Sequence, residues 1–79
     1  MNTYDHYEEA RQVAALLKSE GFPEQAQQIS TAMTDGKTGT EIFMILRFRL
    51  KPLLDLEGIP ESTRQRMQLL YSKVAEALK

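Results

Sequence analysis

The chain has 79 residues, no cysteine and a formal net charge of −1, with 42% hydrophobic and 27% charged residues. That length allows one domain with a small core, burying roughly 60% of the surface an unfolded chain exposes. The composition is too apolar for a disordered chain, and the lack of cysteine excludes a disulfide framework and thiolate metal sites. No unbroken apolar run exceeds five residues, as at Ile42 to Leu46, whereas a membrane span takes roughly 20. The opening Met1-Asn2-Thr3-Tyr4-Asp5 lacks the basic-then-apolar pattern of an export signal, so the expectation is a cytoplasmic protein. Charge is mildly uneven: residues 1 to 40 carry six acids and three bases, residues 41 to 79 five acids and seven bases. Neither half has the dense basic footprint that phosphate backbones select.

The first predicted helix runs from about Tyr4 to Glu20, capped by Asn2 or Thr3, with Asp5, Glu8 and Glu9 near its positive end. Tyr7, Ala10, Val13, Ala14 and Leu17 share one face. A second helix, Pro23 to about Thr34, carries a narrow stripe of Phe22, Ala26, Ile29 and Met33 and is the most weakly anchored element. Asp35-Gly36-Lys37-Thr38-Gly39 then interrupts the pattern, and Thr38 with Glu41 has the form of a capping box. The third helix, about Gly39 to Glu57, is the most apolar. Pro52 inside it removes the bond to the Phe48 carbonyl, which predicts a kink, two shorter helices being the alternative. The fourth runs from Pro60 to about Leu78, with Met67, Leu70, Tyr71, Val74, Ala77 and Leu78 on one side. Leu46, Leu50, Leu53, Leu70 and Val74 are the expected core.

Two segments are close paraphrases of each other. Leu16-Leu17-Lys18-Ser19-Glu20-Gly21-Phe22-Pro23-Glu24 and Leu53-Leu54-Asp55-Leu56-Glu57-Gly58-Ile59-Pro60-Glu61 match at a constant offset of 37. In each, Gly can take the left-handed conformation that closes a helix, the next apolar residue folds back on the last turn, and Pro opens the following helix. Duplication and shared turn chemistry account for the match equally well. Two units are too few for a solenoid, so the expected architecture is all-α: one domain over residues 1–79, a compact four-helix arrangement of two αα-hairpins with the third helix kinked at Pro52.

Candidates for chemistry are few. His6 is the sole histidine, and with Glu9 it makes half of a carboxylate–imidazole metal site with no second half in the sequence. Glu8 and Glu9 diverge by about 100° on a helix, which does not make an acid/base pair. Gly36-Lys37-Thr38-Gly39-Thr40 has phosphate-loop residues in the wrong order and without a preceding strand, so it reads as a capped loop.

The third helix is more informative. Ile42, Leu46, Leu50, Leu53 and Leu54 form one broad apolar arc, while Met44 and Phe48, four apart, fall on the side shared with Lys51 and Asp55. Apolar residues on more than one face predict either a central bundle helix or a contact surface. Arg49 lies inside the arc, where its stem crosses the core edge and its head reaches water or a carboxylate of another helix. Alternatively it is an interface arginine beside Phe48.

These features predict a non-catalytic protein–protein interaction module of the regulator, adaptor or immunity type, needing no cofactor or metal. Its interface residues are Met44, Phe48, Arg49 and Lys51, contacting a second copy or another protein. The alternative is a nucleic-acid-associated regulator using Arg47, Lys51, Arg64 and Arg66.

Overall fold

Each helix begins where the sequence supplies a side-chain acceptor for its free amides, or a proline in their place. The computed structural model describes residues 3–79. Helix α1, His6–Ser19, starts two residues later than the periodicity suggests because Asp5, not Thr3, is its cap: the Asp5 Oδ1 accepts the Glu8 N–H at 3.0 Å. Asn2, the other expected cap, lies outside the described residues. Helix α2, Pro23–Asp35, opens with proline at its first position, where the missing N–H leaves nothing unsatisfied. Helix α3, Gly39–Leu53, has the expected box in a shifted form. Thr38 Oγ1 accepts the Glu41 N–H at 3.1 Å, while the Glu41 carboxylate reaches one residue further back, to the Lys37 N–H at 2.7 Å. Helix α4, Glu61–Ala77, is preceded by Pro60.

The two paraphrased turns share a glycine conformation but not a hydrogen-bond pattern. Gly21 and Gly58 have φ of 93° and 91°, a region open to glycine and strained for residues with a Cβ. At the first turn the Phe22 N–H bonds the Leu17 carbonyl at 2.8 Å and the Gly21 N–H the Lys18 carbonyl at 3.3 Å, the two bonds of a Schellman closure. The second turn closes differently. Helix α3 stops at Leu53, one residue past Pro52, so the expected run to Glu57 is replaced by successive turns over residues 54–58. Proline supplies no N–H to the Phe48 carbonyl and crowds it, which ends the helix here instead of bending a longer one. The freed carbonyls find a side chain: the Arg64 guanidinium of α4 donates to the carbonyl oxygens of Leu54 and Leu56, the latter at 2.7 Å.

Among the described residues, α1 packs on α2, α2 on α3, α3 on α4 and α4 back on α1, the diagonal α1–α3 contact being made by side chains, His6 and Tyr7 on Phe43, and no residue is in a strand. The fold is all-α, and one core is shared by all four helices. Ala10, Val13 and Leu17 meet Ile29 and Ala32, Leu46 and Leu50, and Met67, Leu70 and Val74 inside the ring. The five expected core residues are all buried. On α2 the deepest positions are Ile29 and Ala32, with Met33 only half-buried. The α1–α4 seam also carries polar ties. The Arg66 guanidinium grips Glu9 through two bonds of 2.8 and 2.9 Å, and the Thr63 hydroxyl, buried, donates to Glu20 at 2.8 Å. That second contact sets a carboxylate against the first turn of α4, which has no side-chain cap of its own.

The α2–α3 joint depends on the absence of a side chain. A Cβ on Gly36 would lie 2.7 Å from the Ile42 nitrogen and 2.9 Å from its Cα, so Gly36→Ala forces two backbone segments apart. The backbone angles there, φ −83° and ψ 144°, suit any residue, which leaves space as the sole reason for glycine. We expect Gly36→Ala to lose about 1–3 kcal/mol in urea melts. A variant matching the parent would show that the joint yields freely.

Candidate interaction surface

The outer face of α3 is built by the same periodicity that buries its inner face. With Leu46, Leu50 and Leu53 committed to the core, positions 44, 47, 48 and 51 point away from it. Met44 and Phe48 are accordingly 53% and 81% exposed, as the sequence predicts, and with Leu69 at 51% they are the large apolar side chains most open to water among the described residues. Leu69 stands apart on α4. Phe48 is a ridge between two grooves: on the α4 side it faces one of about 790 Å³ with Met44, Lys51, Tyr71 and Ala75, and on the α2 side it borders a second with Gln28, Thr31 and Arg49. Pro52 lines both. Because Pro52 carries no N–H, the carbonyl of Phe48 lacks its helical donor at the centre of this face.

Arg47, Arg49, Lys51, Arg64 and Arg66 divide into two sets. Arg49 turns its head toward α2: it donates to the Gln28 carbonyl and to Thr31 Oγ1, each at 3.0 Å, and to Asp35 Oδ2 at 2.9 Å. Its side chain is 27% exposed. That is the stem-across-the-core arrangement with a carboxylate of another helix, and the cation also lies against the negative C-terminal end of α2. Arg49 borders the Phe48 face but its donors are engaged within the chain. Arg64 is held by the turn carbonyls and has Glu61 at 3.8 Å, and Arg66 is held by Glu9 and by Gln12 at 2.6 Å. Arg47 and Lys51 are exposed and, among the described residues, have no salt-bridge partner. One turn apart on α3, they flank Phe48.

The sequence allows Arg49 a carboxylate of another helix but does not say which, and the bonds of Arg66 to α1 and of Arg64 to the turn leave no trace in it, since they join different elements. Composition offers no signal for that; only the relative rotation of the helices decides it.

The remaining candidates have structural roles. His6 packs its ring 4.7 Å from that of Phe43 and edge-on to Tyr4 at 5.1 Å, an aromatic contact between α1 and α3. No group of three metal-ligating side chains forms among the described residues. Glu8 holds Arg11 and Gln12 on the surface of α1, while Glu9 is taken by Arg66. Burial raises the Tyr4 pKa, Glu9 adds to the rise and Arg66 opposes it. Bonding to Glu9 raises that of Arg66. Among the described residues no helix is long and apolar enough to cross a membrane. The chain matches no model of a known family, no curated protein and no solved structure.

Proposed function

We propose that this chain is a cytoplasmic, non-catalytic interaction module that contacts another protein through the outer face of α3, with Phe48 at the centre. The observation that carries this reading is an aromatic side chain 81% exposed between two grooves. An apolar ridge with cations at its edge has the anatomy of an interface, in which aromatic anchors supply most of the binding energy and charged groups sit at the rim. The core does not require Phe48, because Leu46, Leu50 and Leu53 already fill the inner face. Arg47 and Lys51 remain from the nucleic-acid reading, too sparse a set for a phosphate backbone, while Arg64 and Arg66 act within the fold.

The test is the double variant Met44→Asp/Phe48→Asp. Both sites are exposed, so the helical circular dichroism and cooperative melt should persist, each substitution shifting stability by no more than about 0.5 kcal/mol. Partner capture or self-association should be lost. A double variant that still captures every native partner, from a parent that light scattering finds monomeric at high concentration, refutes the assignment of this face. Retention on DNA or RNA that falls steeply with salt would favour the nucleic-acid reading instead.

A further inference from the structure

We infer that the occupant of the α3–α4 groove is an acidic, amphipathic helical segment of a different protein, not a second copy of this chain. The inference rests on the assignment of the α3 face as an interface and deepens it by naming the partner's chemistry.

Charge decides between the occupants. Along the groove Met44, Phe48 and Pro52 make an apolar line two turns long, and Arg47 and Lys51 run beside it one turn apart. Neither cation has a carboxylate within salt-bridge distance among the described residues, whereas Arg49, Arg64 and Arg66 each have one. Two copies meeting along this groove would bring four unpaired cations to one seam, against the two Asp55 carboxylates among the described residues that line it. Like charges gathered at an interface cost affinity and carboxylates opposite them gain it. Area points the same way. A stable dimer buries about 800 Å² on each partner, roughly a sixth of this chain's 5136 Å², and the apolar line here spans only Met44 to Pro52. Eight residues of helix rise about 12 Å. That length suits two to three turns of a partner helix laid along the groove.

The occupant then has a defined pattern. Apolar residues at i and i+3 or i+4 would straddle Phe48 and rest on Tyr71 and Ala75, and Glu or Asp along one flank would meet Arg47 and Lys51. On the α2 side Arg49 is already bonded to Asp35, which leaves Arg47 and Lys51 to meet the partner's acids.

A random 16-residue peptide library displayed on phage, selected against the whole protein, tests this. Enriched peptides should be amphipathic and net acidic, and should bind Phe48→Ser about thirtyfold more weakly, the loss of one hot-spot side chain. Selection against Arg47→Glu/Lys51→Glu should return net basic peptides that still need Phe48, a dependence that a misfolded variant does not produce; circular dichroism checks both variants. Peptides that need Phe48 but show no acidic bias overturn the inference and leave the interface assignment standing. Peptides indifferent to Phe48, or no enrichment at all, overturn both. A dimer in sedimentation equilibrium that dissociates on Phe48→Ser installs a second copy as occupant, and preferential binding of an RNA oligonucleotide to this face installs nucleic acid; either result refutes the acidic partner.

Discussion

Leu50→Ala should lower stability by about 2–5 kcal/mol, more than the loss expected at Gly36, with Leu70→Ala close behind. Both side chains are wholly buried, on facing helices α3 and α4, within a core made from fourteen buried apolar residues. Alanine removes three heavy atoms from a closed ring of helices that cannot collapse around the void without shifting α1 and α2 as well, so the cavity term adds to the lost transfer energy. A domain of this size has about 4–12 kcal/mol in total, at 0.05–0.15 kcal/mol per residue. Either variant should therefore melt tens of degrees lower or be partly unfolded at room temperature. Melts within a degree or two of the parent would mean that these leucines are not the keystones of the core.

Arg64→Met should cost about 1.5–3 kcal/mol, the range for hydrogen bonds made by a charged group. Its guanidinium holds the carbonyls of Leu54 and Leu56, the segment where α3 has ended and α4 has not begun. Methionine keeps most of the stem packing and removes the fork. Arg64→Lys should recover little, because one ammonium on a flexible stem does not reproduce two parallel N–H bonds to carbonyls two residues apart. Urea melts give the loss. Hydrogen exchange localises it: amides of residues 54–60 should accelerate beyond the general increase that the lower global stability imposes on α1 and α2. Uniform acceleration across all four helices would show that Arg64 supports the bundle generally and not this turn.

The four helices were legible because burial on one side of a helix leaves a 3.6-residue trace in the sequence, strong at Ala10-Val13-Leu17 and at Leu46-Leu50-Leu53. The left-handed glycines were equally plain, since Gly21 and Gly58 each stand before an apolar residue and a proline. Position 52 was harder. A proline near the end of an apolar run can bend a helix or finish it, and nothing in the local pattern shows that Arg64 stands ready for the carbonyls past an early stop. Gly36 offered no trace, because its role is a close approach to Ile42 and not a backbone angle. On the candidate surface, Met44 and Phe48 could be placed outside the apolar arc by counting 100° steps. The engagement of Arg49 with Asp35 could not, since Gln28, Thr31 and Asp35 come within its reach only once α2 has a definite rotation.

The ring of helix contacts has one member unlike the rest in the order of its assembly. Three of its four seams join helices adjacent along the chain and can zip from their connecting turns; the fourth, α1 with α4, brings together residues as far apart as Glu9 and Arg66, a separation of 57 against 21 for Arg49 and Gln28. Closing the longer loop costs roughly 1 kcal/mol more in chain entropy, and nothing is gained until both helices are in register. Loop entropy thus makes the α1–α4 seam the expected last step of folding. The Glu9–Arg66 fork and the Glu20–Thr63 bond lie across that seam as latches, and if they form after the folding barrier their removal should speed unfolding more than it slows folding.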